Sequence, residues 1–529
     1  MQPDWTALGV FIALFLIVSV IGFVAANWRR GDLGLLHEWG LGGSRFGTVI
    51  TWFLLGGDLY TAYTFIAVPG LVSGKGAIGF FAMPYTIIVY PLVFLLMPRL
   101  WAVARKHGYI TASDFVRGRF GSQWLALAVA FTGILATLPY IALQLFGIEV
   151  SIAQMGINPE IALTVAFIIL AAFTFISGLR APALIAIVKD AMLYLLIIIM
   201  VIYIPIQLGG FGNIFAAAQA HFDAANAAAV AAGSPPVGGI TLSSAGMVAF
   251  STLALGSALA LFMYPHAITG VLASKDGKVV KRNMALLPAY SFLLGLIALM
   301  GYMALALPKA QAMTTSPNYA TYKANIAVPW LIHVMFPSWF AGFAFAAIVI
   351  GALVPASVMS IAAANLFTRN VYKEYIRKDA SPREESSVAK YASLIVKVGA
   401  LAFVLIPGAT AYAINLQLLG GVWILQIFPA VVFGLYTRWF NRWALLIGWA
   451  VGMITGTYWA FVANFASTYT YTIFGHSYVV YIALVAFVIN LVIAAVLSLV
   501  FKLAKVSNGQ DETASTDYEQ MSAPVESAA

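Results

Sequence analysis

Acidic side chains inside long apolar runs are the residues of this sequence best placed to do chemistry. Of the 19 acidic residues, Asp58, Glu149 and Asp190 lie in such runs. An ionisable group in lipid costs roughly 2.5–3.5 kcal/mol on insertion scales, so it usually faces a cavity or a partner. Asp58 lies within residues 56–64, where two glycines, an acid and several hydroxyls make a poor helix. We expect this segment to unwind and to leave carbonyls for a cation and amides for an anion; the alternative is a glycine-mediated helix contact.

Two further pairs of polar side chains share helical faces within apolar runs. Tyr140 and Gln144 stand at positions i and i+4, and Trp423 and Gln426 stand at i and i+3. Residues with these spacings are neighbours on one face of a helix. A buried phenol or amide there lines a binding site, or it forms hydrogen bonds between helices.

A proline and a charged pair mark two other apolar runs. Pro355 removes the helical hydrogen bond to the carbonyl of Gly351, close to Ser357. The freed carbonyl either coordinates an ion or marks a simple kink. Lys189 and Asp190 open another run, where they form either a structural ion pair at the interface or a relay at a gate.

The composition requires a membrane environment around these residues. The chain has 529 residues, of which 62% are hydrophobic and 9% are charged, whereas soluble domains have about 25% charged residues. The mean hydropathy is +0.93. Soluble enzymes and nucleic-acid-binding modules are therefore excluded. The chain has no cysteine, which excludes disulfides and thiol catalysis; no histidines stand at a zinc-enzyme spacing. We expect neither an enzyme nor a tightly bound cofactor.

The apolar runs predict an all-α polytopic protein. A spanning helix needs about 20 apolar residues, and the runs are too long for barrel strands. About thirteen transmembrane helices are predicted, at residues 5–27, 47–73, 77–101, 124–155, 160–178, 183–208, 244–264, 284–307, 338–368, 388–407, 411–436, 442–463 and 478–503.

The basic residues orient these helices. With the N-terminus outside, 23 of the 28 lysines and arginines fall in inner loops, as the positive-inside rule requires. The net charge of +9 thus reflects topology and not a nucleic-acid partner. We expect a multi-pass protein of the inner (cytoplasmic) cell membrane, with a transmembrane domain at residues 1–506. The acidic segment 507–529 is predicted to be a disordered cytoplasmic tail.

Motifs between about residues 40 and 440 resemble the sodium:solute symporter family, in the family's order. They are residues 42–47, 140–147, 178–181 with Asp190, 265–266, 367–372 and 428–436. Within that family, residues 60–65, 178–184 and 354–357 are most similar to the bacterial monocarboxylate permeases. The resemblance implies a leucine-transporter-like fold, with an inverted repeat of two five-helix halves at about residues 47–436. It also implies symport of short acids such as lactate, pyruvate, acetate and propionate.

The resemblance further implies a cation site at the break. The family holds sodium with backbone carbonyls that match Gly57 and Tyr60 and with two hydroxyls of the ninth span. Those hydroxyl positions fall on Val354 and Pro355, which carry no side-chain oxygen. A buried carboxyl that takes a proton is the alternative, so H+ and Na+ both stay open, and Na+ is the one metal ion considered. The predicted coupling-ion residues are Gly57, Asp58, Tyr60, Asp190, Gly351 and Ser357.

A substrate carboxylate is expected to bind amides and hydroxyls of the break. The predicted substrate-binding residues are Thr61, Tyr63, Thr64, Tyr140, Gln144, Phe250, Ser251, Trp423 and Gln426. Besides the substrate and the lipid bilayer, no obligate protein partner is expected. A membrane sensor with a symporter-like core and a symporter for another small solute, such as an amino acid, are the alternatives. The sensor is disfavoured because no folded domain is expected after about residue 506.

Overall fold

The protein is a bundle of apolar helices with one β-hairpin. This computed structural model describes residues 2–29, 31–307, 313–404 and 413–519. The helices are α1 Trp5–Val24, α2 Leu36–Leu41, α3 Thr48–Gly57, α4 Val68–Lys75, α5 Ala82–His107, α6 Ala112–Phe120, α7 Gln123–Ala153, α8 Pro159–Ser177, α9 Arg180–Gln207, α10 Phe211–Ala231, α11 Ser244–Leu261, α12 Pro265–Leu272, α13 Gly277–Leu286, α14 Pro288–Leu305, α15 Pro317–Tyr322, α16 Ala327–Met335, α17 Ser338–Phe367, α18 Pro382–Val404, α19 Ala413–Ile424, α20 Phe428–Val432, α21 Arg442–Val462 and α22 Ile482–Leu503. The strands are β1 Thr468–Ile473 and β2 His476–Tyr481.

The predicted all-α polytopic fold is confirmed. Within the described ranges, eleven helices are long and apolar enough to cross a membrane, and α11 with α12 forms a twelfth span that bends by 43°. The remaining predicted span, 47–73, consists of the short apolar helix α3, a π-helical segment at residues 63–67, and α4. Two predicted spans, 388–407 and 411–436, extend into residues 405–412, which lie outside the described part of the chain.

Broken helices occur at equivalent places in the two predicted halves of the repeat. The first half begins with α3 and α4, which are separated by residues 58–62 and the π-helical segment 63–67. The second half begins with α11 and α12, which are separated by residues 262–264. In contrast, α17 runs without a break through Pro355 and is almost completely buried. The two breaks therefore lie inside the bundle, beside a continuous central helix.

The chain termini lie at opposite ends of the bundle, as an odd number of spans requires. Near the N-terminus, the amide of Asp4 donates to the carbonyl of Met155, in a loop predicted to be outside. At the other end, Phe46 pairs with Ser274 in a short parallel bridge, and both lie in or next to predicted inner loops. These two contacts agree with the placement of these loops that the basic residues predict.

The first part of the predicted disordered tail has a defined path. Residues 507–519 lie against the end of the bundle that carries most of the basic residues, while residues 520–529 lie outside the described part of the chain. Asp511 pairs with Arg119 at 2.9 Å, and Asp517 pairs with the basic side chains at the C-terminal end of α5. The prediction of disorder is therefore corrected for residues 507–519, because their acidic groups find basic partners on the bundle.

A β-hairpin precedes the last span. Strands β1 and β2 are antiparallel, with Thr468 opposite Tyr481. Phe474 and Gly475, which connect them, both have positive φ angles, as a two-residue hairpin loop requires. The span predicted at 478–503 consequently begins later, at Ile482, because its first residues pair in β2.

Candidate substrate and cation site

The break between α3 and α4 is held by hydrogen bonds from its own hydroxyls and from α7. The amide of Ala62 donates to Oε1 of Gln144 at 3.0 Å. The amide of Tyr63 donates to Oγ1 of Thr61 at 3.0 Å, and Oγ1 of Thr64 donates to the carbonyl of residue 59. These predicted substrate ligands thus stabilise the broken backbone, because amides that leave a helix inside a bundle need new acceptors.

The carbonyls of the break hold a lysine ammonium. Nζ of Lys189 donates to the carbonyl of Gly57 and, at 3.2 Å, to the carbonyl of Tyr60. The same atom lies 3.1 Å from Oδ1 of Asp190, and both charged side chains are fully buried. An ammonium has three donors, and here three oxygens lie within 3.2 Å of it, two of them as hydrogen-bond acceptors and one as an ion-pair partner. The two carbonyls that the resemblance assigns to a sodium ion are therefore already bound to a cation.

Three tyrosines surround this buried ion pair. Oη of Tyr290 donates to Oδ2 of Asp190 at 2.8 Å, and Oη of Tyr60 donates to the main-chain carbonyl of Tyr290 at 3.0 Å. The ring of Tyr194 lies 5.7 Å from that of Tyr290. A buried carboxylate needs such donors, since an unpaired charge in low dielectric is costly.

The two glycines before the break are required by this packing. A Cβ atom on Gly56 would lie 2.8 Å or less from three ring carbons of Tyr290, and one on Gly57 would lie 2.8 Å from Nζ of Lys189. The pair Gly56-Gly57, read from the sequence as a weak point of the helix, thus also lets α9 and α14 approach its backbone.

A contact between an acidic side chain and a histidine connects the two broken spans. Oδ2 of Asp58 lies 3.1 Å from Nε2 of His266, which is the second residue of α12. His266 is 2% exposed and Asp58 is 12% exposed. The ring of His266 lies 5.5 Å from that of Tyr140 and 5.3 Å from that of Tyr264. Asp58 therefore has a partner across the bundle, as expected for an acid inside a membrane span.

Several buried polar atoms around this pair have no hydrogen-bond partner within the described protein. They are Oδ1 of Asp58, Nδ1 of His266, Oη of Tyr63, Oη of Tyr90 and Oγ of Ser257. Buried polar groups are nearly always paired in folded proteins. A group of unpaired polar atoms beside two broken helices is therefore a candidate substrate site.

Four of the predicted substrate ligands are exposed, partly buried or bonded to the last two spans. Ser251 is exposed and Phe250 is partly buried on α11. Nε1 of Trp423 donates to Oγ1 of Thr457 on α21, and Gln426 accepts from Nδ2 of Asn490 on α22 at 3.1 Å. The two residues of the second half thus make helix–helix contacts, which was the alternative reading of their spacing.

The two predicted ion ligands of the ninth span, Gly351 and Ser357, have different neighbours. A Cβ atom on Gly351 would lie 3.7 Å from the carbonyl of Tyr60, so the backbone of α17 approaches the break there. Ser357 instead lies 3.1 Å from the hydroxyl of Thr174 on α8. Ser357 thus contacts another helix and does not replace the hydroxyls missing at positions 354 and 355.

The sequence alone does not reveal the partners of two important residues, Lys189 and His266. The contact of Lys189 with the carbonyl of Gly57 joins residues that are 132 positions apart in the chain. No local sequence pattern reveals this contact. His266 lies between the predicted spans 244–264 and 284–307, whereas in the structure it opens α12 inside the bundle. Its position directly after Pro265, at the end of an apolar run, was the signal available.

A bundle whose two broken spans gather buried charged and polar groups has the architecture of a secondary transporter. Comparison with known proteins agrees. The model of the sodium:solute symporter family matches residues 39–456, so the chain belongs to the sodium:solute symporter family. It is a multi-pass membrane protein and a symporter.

Relatives in sequence extend over nearly the whole chain. A "Monocarboxylate transport permease protein" of Rhizobium johnstonii is 52% identical over 494 residues, covering 93% of this chain and 96% of that protein. The "Uncharacterized symporter YodF" of Bacillus subtilis is 35% identical over 459 residues, covering 86% and 87%.

Solved structures with the same fold are more distant in sequence. A Na+-coupled sialic acid symporter in a substrate-bound outward-open state has a TM-score of 0.70 at 16% identity, covering 96% of this chain and 99% of that chain. Mhp1, a nucleobase-cation-symport-1 family transporter, has a TM-score of 0.51 at 12% identity, covering 92% and 98%. These similarities confirm the leucine-transporter-like fold.

Proposed function

We propose that this symporter carries short monocarboxylates, such as lactate, pyruvate, acetate and propionate, into the cell together with H+ or Na+ by alternating access. It would lie in the inner (cytoplasmic) membrane with its N-terminus outside and its C-terminus in the cytoplasm. The basic residues at one end of the bundle support this orientation. The relative named a monocarboxylate transport permease supports the substrate class, since it is similar over nearly the full length.

One observation carries the proposal, namely the unpaired buried donors beside the two breaks. A carboxylate only accepts hydrogen bonds, and Oη of Tyr63 and Oη of Tyr90 are donors without an acceptor in the described protein. Nδ1 of His266 also has no partner in the described protein, while its Nε2 lies 3.1 Å from Oδ2 of Asp58. Aromatic rings lie beside Tyr63 and His266. Such apolar surroundings suit a small substrate with one polar group.

Counterflow of labelled pyruvate in proteoliposomes tests this function. Counterflow needs substrate binding and alternating access but no ion gradient, so it reports on the substrate site alone. Exchange of pyruvate, with competition by lactate and propionate but not by alanine, is expected. Competition by alanine, without competition by lactate, would favour the alternative of an amino acid symporter.

Two tyrosine variants locate the site. Tyr63→Phe and Tyr90→Phe each remove one donor to the carboxylate, which is worth about 1.5–3 kcal/mol, so half-saturation should rise about 10- to 100-fold. Tyr302→Phe is the matched control, because Oη of Tyr302 is also buried without a partner but its ring packs between Phe80 and Phe222. Equal kinetics in all three variants would contradict the proposed site.

A further inference from the structure

Two cavities lie between the break of α11 and α12 and the inner end of the bundle. The first, the break cavity, has a volume of about 10 Å³, and its wall includes Met263 of the break itself. The second, the inner cavity, has a volume of about 60 Å³ and lies beside α2 and the inner end of α5, where its wall includes Leu41 and Ala104. None of the unpaired polar atoms of the candidate substrate site lines the inner cavity.

One face of α12 lines both cavities. Pro265, Ile268 and Thr269 belong to the wall of the break cavity, and Leu272, three residues further along, belongs to the wall of the inner cavity. These positions share one face of a helix. Ile110, in the turn between α5 and α6, lines both cavities and is 7% exposed. The cavities are therefore consecutive parts of one route from the break to the inner end. The route is closed at Ile110, since 10 Å³ holds about one water molecule.

The inner cavity has the size and the lining that suit a short carboxylic acid. If a water-sized group needs about 10–15 Å³, the cavity accommodates about four to six non-hydrogen atoms, as in acetate to pyruvate. Trp101 and Leu272 contribute apolar walls, and ligand pockets are typically apolar with few polar groups. The hydroxyl of Ser44 already donates to the carbonyl of Leu272 and contacts His37. The guanidinium of Arg105 is the charged donor on this wall.

The charge of Arg105 is not neutralised by a neighbouring acid. Arg105 is exposed at the C-terminal end of α5 and forms no ion pair with any residue of the described ranges, whereas the two basic residues that follow it pair with Asp517. Glu38 on α2 is held by Arg45 and Arg180. A guanidinium binds a carboxylate with two parallel hydrogen bonds. An organic anion in the inner cavity would therefore find a cation with no competing carboxylate bound to it.

We propose that the inner cavity is a second binding site for short monocarboxylates, which the substrate occupies after it leaves the break and before it enters the cytoplasm; this inference rests on the proposed monocarboxylate symport. The guanidinium of Arg105 binds the carboxylate, and the apolar walls at Trp101 and Leu272 contact the carbon chain. Ile110 separates this site from the break, so the substrate passes only when this side chain withdraws. A neutral amide of the same size lacks the charge that Arg105 binds.

Protection of an introduced cysteine tests the inner site. The chain has no cysteine, so a single introduced thiol is the one that a maleimide modifies. Ala104→Cys places this thiol in the wall of the inner cavity without removing a polar group. In the purified full-length protein, pyruvate and lactate should slow its modification, whereas lactamide should not. Leu41→Cys, on α2, repeats the measurement from another wall if the first variant does not fold. Modification that pyruvate slows in neither variant would refute the inner site.

Charge variants in the Ala104→Cys protein test the role of Arg105. Arg105→Gln should raise the pyruvate concentration that gives half-maximal protection about 3- to 10-fold, since an exposed charge pair is worth less than a buried one. Arg282→Gln is the matched control, because Arg282 is also exposed, on α13, and does not line the inner cavity. Tyr63→Phe weakens the site at the break and should not change this concentration. An unchanged concentration in Arg105→Gln, or an equal change in Arg282→Gln, would refute the role of Arg105. A change in Tyr63→Phe alone would assign the protection to the break.

A second cysteine position tests the separation at Ile110. Thr269→Cys places the thiol in the wall of the break cavity, so it should react more slowly than Ala104→Cys. Ile110→Ala should speed the modification of Thr269→Cys and leave that of Ala104→Cys unchanged. Equal rates at the two positions in the presence of Ile110 would refute the separation. Absence of pyruvate counterflow in the wild type would refute the proposed function, whereas counterflow without protection of the thiol would refute the inner site alone.

Discussion

Substitution of Gly56 by alanine tests the packing between the break and the buried ion pair. The new Cβ atom would lie 2.8 Å or less from three ring carbons of Tyr290, whereas carbon atoms normally pack at about 3.5–4.0 Å. The ring has little freedom to withdraw, because Oη of Tyr290 is bonded to Asp190 and its ring centroid lies 4.8 Å from that of Trp52.

The expected cost follows from two contributions. Overpacking of a dense core costs about 1–3 kcal/mol, and a displaced Tyr290 loses a hydrogen bond to a charged group, which is worth about 1.5–3 kcal/mol. Gly56→Ala should therefore destabilise the protein by about 2.5–6 kcal/mol, if both contributions apply in full. The displaced ring should also disturb Lys189 and Asp190, which contact the break, so pyruvate uptake should decrease.

Thermal unfolding of the purified protein in detergent, followed by tryptophan fluorescence, measures the effect. Gly56→Ala should have a lower apparent melting temperature than the wild type. Gly399→Ala is the control, because a Cβ atom there meets nothing within 4 Å and alanine favours helix by about 1 kcal/mol. A Gly56→Ala protein with wild-type melting temperature and wild-type uptake would refute the packing described here.

Two other predictions concern the break and the tail. Gln144→Leu leaves the amide of Ala62 without its acceptor, so the melting temperature should fall by an amount corresponding to about 1–3 kcal/mol. Gln154→Leu is the control and should not lower the melting temperature, because the side chain of Gln154 has no partner in the described protein. Equal melting temperatures of the two variants would contradict this prediction. Burial raises the pKa of Asp517, but hydrogen bonds, first from Lys106, outweigh this effect and hold the pKa well below its usual value of 3.8. A carboxyl with a lowered pKa stabilises the docked tail at any pH above its unfolded-state pKa, and this stabilisation is lost as the pH falls through its folded-state pKa. Proteolysis of the tail should therefore be slow at neutral pH and fast only in strong acid, whereas Asp517→Asn should make it fast at neutral pH. A proteolysis rate that neither change alters would refute the docking of the tail.

Local patterns in the chain determined the class of protein and the course of its spans. Each spanning helix is recognised from its own run of apolar residues, because hydropathy acts on every segment separately. The break at residues 56–64 was also predictable, since glycines and hydroxyls weaken a helix wherever they occur. The alternation of basic loops predicts the relative placement of the two chain ends.

Contacts between distant segments were decided by the tertiary structure alone. Lys189 had been interpreted as part of an ion pair or a gate, yet its ammonium binds the carbonyls of Gly57 and Tyr60. Gln426 shares a face with Trp423 as its spacing predicts, but that face contacts the last spans. The rotation of each helix about its axis sets these partners. That rotation depends on the packing of all neighbouring helices, whereas the apolar character of a span is the same on nearly every side.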